Sequence, residues 1–348
     1  MAVKATKSTA AFEKLKSDIK NVTPENVYIF YGEETYLREF YLEELRRTLV
    51  PEGFEEFNYH RLQGKNLTMQ ELLETVEAMP MMAQNTLVTV TDLDIFKLEE
   101  SQRTALIEIL SDFPEYCTLV FVYDTVSYKR DGKMKKLTAA LDKFVQEVEF
   151  QEQERAALVK WVKRRVAATG HDIDTATIDH LLFTCGTLMT ALVQEIKKVG
   201  AYAKGQNITI SDIDAVVEPV LDARVFDMTK CITDRRYDDA ARILGDLLRM
   251  QEEPIMILAA IGKELRRIYT ARLALDSGKD KAWLVQLWNM RNDYPAKLLM
   301  DAAKRVDHDW CRRALKKCQT LDRRMKSETG IDREAELKLF LMELADRK

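Results

Sequence analysis

The chain has 348 residues, which at ~100–200 residues per domain implies two or three domains. A 46% apolar content supports ordinary buried cores, and 32% charged residues with only 12 glycines and 7 prolines point to a helix-rich chain. A net charge of −4 excludes a global attraction to nucleic acid, so contact with DNA has to come from local basic patches.

Residues 1–26 form a polar lead-in with a short helix over Ala10–Ile19, and Pro24 ends it. Val27–Arg47 then reads as a strand, a tight turn at Gly32 and a helix. Leu37, Tyr41, Leu45 and Leu49 recur at spacing four with Phe40 beside them, one face of a helix over 35–49. Glu33, Glu34 and Thr35 stand where a helix start favours acidic and capping side chains. Phe57–Leu62 alternates as a second strand. Thr68 caps a helix from Met69 to Met79, with Leu72, Leu73, Val76 and Met79 on one side. Thr86–Val90 is a strong strand, Glu99–Leu110 a helix, and Thr118–Val122 a strand apolar enough to be central. Leu137–Phe144 is helical and Val145–Phe150 is the last strand. Strand and helix in alternation imply a parallel sheet with helices on both faces.

Beyond residue 150 the strands stop. Arg155–Ala168, Thr175–Cys185 and Leu188–Tyr202 read as three short helices, followed by the segment ITISDIDAVV. From about 220 the helices lengthen: Ala223–Thr233, Asp238–Met250, Pro254–Leu275, Ala282–Asn289, Pro295–Val306, Asp309–Arg324 and Arg333–Ala345. Pro254 and Pro295 sit at helix starts, where a missing N–H costs nothing. Ile255, Leu258, Ile261 and Leu265 give the third of these long helices an apolar face suited to assembly.

A strand entering a helix through a glycine turn is where nucleotide-binding α/β domains keep a phosphate loop. That loop needs glycines, then Lys and Ser/Thr. Four Gly-Lys pairs occur, at Gly64, Gly132, Gly262 and Gly278, followed by Asn66, Met134, Glu264 and Asp280, so none supplies the hydroxyl. The turn at Gly32 carries two carboxylates instead, which would repel a triphosphate. The reading is a nucleotide-binding scaffold with no nucleotide to bind and no cofactor.

Cys117, Cys185, Cys231, Cys311 and Cys318 are scattered without a C-x-x-C pair, as expected of reduced thiols in a cytosolic protein. His60, His171, His180 and His308 are equally dispersed, so neither a metal site nor a catalytic set is expected. No apolar run approaches the ~18–20 residues of a membrane span. The basic opening MAVKATKSTAAFEKLK lacks an apolar core, so it does not read as a secretory signal.

Several segments, in this order and spacing, carry a resemblance. They are Tyr31-Gly-Glu-Glu34 with Leu37, Ala78-Met-Pro-Met-Met-Ala83 ahead of Leu87–Val90, Gly186–Lys198, Val225-Phe-Asp-Met228, Glu252–Leu258, and Leu321–Ser327 with Gly330. Over about residues 25 to 345 the chain resembles the δ subunit of the bacterial DNA polymerase III clamp loader. The resemblance implies an AAA+-like parallel-sheet, clamp-binding domain without a phosphate loop (1–150), a small three-helix lid domain (151–219) and a C-terminal helical collar for oligomerisation (220–348). It also implies a cytoplasmic protein of the DNA polymerase III holoenzyme, a nucleotidyltransferase complex, with no ATPase activity of its own. The implied partners are the β sliding clamp, the ATPase (τ/γ) and δ′ subunits of a hetero-oligomer, and primed DNA reached through that complex.

Pro80, Met81 and Met82 are the candidate clamp contact. Methionines at the end of a helix can equally be core. The position after Pro80, between a helix and a strand, and the softness of methionine suit a binding tip, and the resemblance points the same way. Asp92-Leu-Asp94 has the look of a magnesium-binding pair, but without a phosphate loop it reads as solvated or capping. Lys129, Arg130, Lys133, Lys135 and Lys136 form one basic cluster, and Arg323, Arg324 and Lys326 a second. Each is either a solvated face or a contact for DNA phosphate or acidic partner surfaces. Two competing functions remain: an active P-loop ATPase, which the missing loop disfavours, and a helical adaptor unrelated to replication.

Overall fold

A computed structural model describes residues 7–290 and 293–345. The first six residues of the polar lead-in, and 291, 292 and 346–348 of the helical region, lie outside the described residues. The chain divides into two units, each described by itself. The first runs to Gln153 and includes Leu188–Thr190; the second takes Glu154–Thr187 and the chain from Ala191 on.

The first unit opens with α1 (Lys7–Asn21), β1 (Val27–Tyr31), α2 (Thr35–Leu49), the single turn α3 (Glu55–Asn58) and β2 (Tyr59–Gln63). It continues with α4 (Met69–Glu77), β3 (Thr86–Thr91), α5 (Glu100–Ser111), β4 (Cys117–Val122), α6 (Lys135–Phe144) and β5 (Gln146–Glu149). The five strands pair in parallel in the order β2-β3-β4-β1-β5, with the wholly buried β4 at the centre of the sheet. Alternation along β1 sends Val27 and Ile29 to one face and Tyr28 and Phe30 to the other. The first face packs on α4, α5 and α6 through Leu72, Val76, Leu106, Ile109 and Leu141. The second packs on α1 and α2 through Leu15, Leu45 and Leu49. Phe40, expected beside that apolar face, meets Tyr41 edge-on but is otherwise exposed, with Tyr36 stacked on it.

Two expectations here need correction. The second strand begins at Tyr59, because Phe57 and Asn58 belong to α3, a turn too short to leave a periodic signal. The helix after Thr68 ends at Glu77, and Met79 is exposed beyond it. Pro80 is the physical cause: the residue before a proline is pushed out of the helical region, and proline has no N–H to continue the ladder.

The second unit holds α7 (Arg155–Ala167), α8 (Thr175–Cys185), α9 (Met189–Tyr202, from Ala191 in this unit) and α10 (Ile210–Val216). The ITISDIDAVV segment thus folds as a fourth short helix, started by a capping box between Thr209 and Asp212. Then follow α11 (Leu221–Thr233), α12 (Tyr237–Arg249), α13 (Pro254–Asp276), α14 (Lys281–Leu287), α15 (Tyr294–Ala303), α16 (His308–Ser327) and α17 (Arg333–Ala345). Asp174, Asp280 and Asp307 cap three of these starts by accepting a main-chain N–H. Leu258, Ile261 and Leu265 of α13 are buried against α11, α16 and α17, and Ile255 is half-buried. The face expected to serve assembly is therefore the core of this unit.

Candidate functional site

At the sheet edge, Gly32 takes φ +120°, and a Cβ there would lie 2.4 Å from the Phe150 carbonyl oxygen. Phe150 bonds both sides of the turn: its N–H donates to the Tyr31 carbonyl at 2.7 Å, and its carbonyl accepts from the Glu34 N–H at 3.0 Å. The glycine is thus required by close backbone packing after β5. Glu34 is fully buried, and one carboxylate oxygen accepts from the N–H of Met189 in the same unit at 3.1 Å. Burial pushes Glu34 above the ordinary carboxylate range, partly offset by the N–H donors of Met189 and Tyr36.

Arg38 is buried on α2, ion-paired with Asp124, and donates to the Gly32 carbonyl at 3.1 Å. Asp92, just after β3 at φ +58°, turns its carboxylate onto the loop after β4. It accepts from the N–H groups of Asp124 (2.8 Å), Thr125 (3.0 Å) and Val126 (3.1 Å), and from the Thr125 hydroxyl (2.6 Å). Burial acts to raise the Asp92 pKa, but these donors outweigh it and hold the group below its ordinary value. Asp94 pairs with Lys97 at 2.9 Å. The ≈ 460 Å³ cleft at this edge is lined by Glu33, Asp124 and an Arg38 already paired.

In the loop between α4 and β3, Met79, Met81 and Met82 are 81%, 52% and 78% exposed, while Pro80 is half-buried. Met82 takes φ +54°, a left-handed backbone that side chains other than Gly, Asn and Asp rarely adopt. The frame on either side is rigid, with Leu72 and Val76 of α4 and Leu87, Val88 and Val90 of β3 all buried. Phe57 adds a further exposed ring, and its neighbour Asn58 bonds the Met81 main chain. The exposure of Met79 and the part of Asn58 left no trace in the periodicity of the sequence.

The basic clusters divide by pairing. Arg130 is held by Asp142 (2.6 Å) and Glu147 (2.7 Å), and Arg324 makes two bonds to Glu336 (2.8 Å each). Lys326 pairs with Asp322 at 2.8 Å. Lys129, Lys133, Lys135, Lys136 and Arg323 are exposed. Lys135 and Lys136 occupy the first turn of α6, which has no acidic residue.

Every cysteine is buried and unbridged, and burial pushes the Cys117 and Cys318 thiols up to about 11. His180 sits between Tyr294 (3.1 Å) and Asp214 (2.7 Å), and His171 between the carbonyls of Gly200 and Gly205 (2.9 Å each). Among the described residues, no group of three His, Cys, Asp or Glu could hold a metal ion. Among them, too, no single helix is long and apolar enough to cross a membrane.

Two family models match this architecture in register with its two parts. Residues 28–151 match "DNA polymerase III, delta subunit", and residues 222–344 match "DNA polymerase III delta subunit, C-terminal domain". The chain belongs to the DNA polymerase III delta subunit family. It is similar to DNA polymerase III subunit delta of Bacillus subtilis, 25% identical over 327 residues, covering 92% of this chain and 93% of that one. It is also similar to the probable DNA polymerase III subunit delta of Aquifex aeolicus, at 20% identity over 294 residues and 82% of each chain. Among solved structures, the Bacillus subtilis DNA clamp loader delta protein shares the fold, with TM-score 0.50 and 24% identity over 97% of this chain and 100% of that one. Family membership places the chain among the clamp-loader proteins of DNA replication.

Proposed function

We propose that this delta subunit binds the ring-shaped sliding clamp through Pro80, Met81 and Met82 and helps hold one ring interface open, without hydrolysing ATP. The proposed setting is a cytoplasmic hetero-oligomer in which τ/γ subunits hydrolyse ATP, δ′ completes the ring of subunits, and primed DNA enters the complex. Residues 1–150 would bind the clamp, 151–219 form a lid, and 220–348 form the collar that assembles.

The observation that carries the clamp reading is the exposure of Met81 and Met82 on a loop whose flanking elements are buried. Fully burying one methionine contributes roughly 1.5–3 kcal/mol. Losing both should weaken clamp binding by about two to four orders of magnitude, at ~1.4 kcal/mol per tenfold. Because both are exposed, their loss should cost the fold no more than about 0.5 kcal/mol each. The test is Met81→Ala with Met82→Ala, measuring thermal melt and clamp affinity side by side. An unchanged melt with lost affinity is expected; unchanged affinity would sink the reading.

The absence of hydrolysis is supported by a glycine turn filled by the Phe150 main chain and an Asp92 carboxylate committed to backbone donors. Titration with ATP should give no saturable binding in the micromolar range. Such binding would restore the ATPase alternative.

A further inference from the structure

We infer that Asn58 is a positioning residue for the docking tip, clasping the main chain of Met81 so that Met81 and Met82 are arranged before the partner arrives. The inference rests on the clamp reading of that tip. Asn58 ends α3 and is 0% exposed. Its side-chain oxygen accepts from the Met81 N–H at 2.8 Å, and its NH2 donates to the Met81 carbonyl at 2.9 Å and the Phe54 carbonyl at 3.0 Å. The orientation of the amide is fixed by these partners, since a flip would set NH2 against N–H and oxygen against two carbonyls. One side chain thereby serves both main-chain groups of a single loop residue, as a neighbouring strand would.

The same three residues are constrained from each side. Pro80 has its φ locked. Met81 is clasped at both polar groups. Met82 holds φ +54°, a conformation that persists only where the surroundings over-determine it. A loop already ordered does not lose that freedom on docking, so less of the contact energy is spent on arranging it. Asparagine suits the task because it presents donor and acceptor side by side. Aspartate lacks the donors, and alanine has neither group.

The test measures affinity for the sliding clamp with full-length protein, well below the melting temperature, for wild type, Asn58→Ala, Asn58→Asp and the double methionine variant. Asn58→Ala should bind about tenfold or more weakly, as expected when a pre-arranged loop has to be ordered on binding. The carboxylate of Asn58→Asp would face two carbonyl oxygens, which raises its pKa. Once protonated it regains one donor, so its deficit relative to wild type should shrink between about pH 8 and about pH 5.5. Acid relieves any buried carboxylate, so the melting temperatures are followed at the same pH values: a deficit in affinity well beyond any loss of stability assigns the effect to the clasp, and a deficit that only tracks lost stability overturns it. Wild-type affinity in Asn58→Ala, while the double methionine variant has lost its own, overturns the inference alone. Wild-type affinity in the double methionine variant overturns the clamp reading itself. If Asn58→Ala does not fold, Asn58→Asp decides: a deficit that exceeds any loss of stability and shrinks in acid supports the clasp, and an affinity ratio independent of pH overturns it.

Discussion

Asp92 sits at the end of β3, where a nucleotide-hydrolysing domain of this kind would want a carboxylate beside a metal. Here the carboxylate is spent on the main chain of residues 124–126. That assignment predicts a stability effect with a definite sign. A carboxylate held below its ordinary pKa binds protons less readily in the folded chain than in the unfolded one. Its stabilisation is therefore complete above the unfolded value of about 4 and is lost as pH falls through the lower folded value. Asp92→Ala should cost about 1–2 kcal/mol at neutral pH, toward the low end for bonds to a charged group because the site is only half-buried. Asp92→Asn should cost less, since asparagine tolerates φ +58° and keeps one acceptor. Chemical denaturation at neutral and acid pH checks this, with the gap between wild type and either variant narrowing in acid. A gap that stays constant or widens would mean that the carboxylate does not serve as the anchor.

At the scale of elements, long periodic segments were legible and short irregular ones were not. The helices α8 and α17 have the bounds read from sequence, Thr175–Cys185 and Arg333–Ala345; α8 does so because its apolar turns run from the Asp174 cap to Gly186. The central place of β4 was legible from its unbroken apolar run. The turn α3 was not, since four residues hold no period, and so the clasp that Asn58 makes was invisible too. The glycine turn was legible as a turn, but the Phe150 carbonyl that requires it comes from far along the chain.

The helix α6 adds an element-scale test of the basic cluster. Lys135 and Lys136 lie in its first turn, where the macrodipole disfavours cations. If they are retained to meet DNA phosphate or an acidic partner, Lys135→Glu with Lys136→Glu should raise the melting temperature slightly while weakening salt-sensitive DNA retention by the assembled complex. Opposite signs in the two measurements are the expected outcome. Unchanged DNA retention would assign the lysines to a solvated face.

At the scale of the whole molecule, assembly has to use a surface that folding leaves free. Leu258, Ile261 and Leu265 cannot serve, being core. Truncation after residue 219 is no clean test either, because Phe183 of α8 packs edge-on against Phe226 with ring centroids 5.2 Å apart, and His180 bonds Tyr294. The last helix offers a sharper one. On α17, Leu337, Phe340, Leu341 and Leu344 face inward, while Leu339 and Met342 are 48% and 71% exposed. If this exposed apolar pair is an assembly surface, the occupant proposed for it is the collar of a neighbouring clamp-loader subunit. Met342→Lys should therefore leave the melt and the clamp affinity of the isolated chain unchanged, because the side chain is outside the core and far in sequence from the Met81 tip. Reconstitution with the ATPase and δ′ subunits, read by size-exclusion chromatography, should fall sharply, since a desolvated lysine with no carboxylate partner is costly at an apolar contact. Wild-type incorporation of Met342→Lys would remove this face from the assembly and send the search to another exposed surface of the second unit.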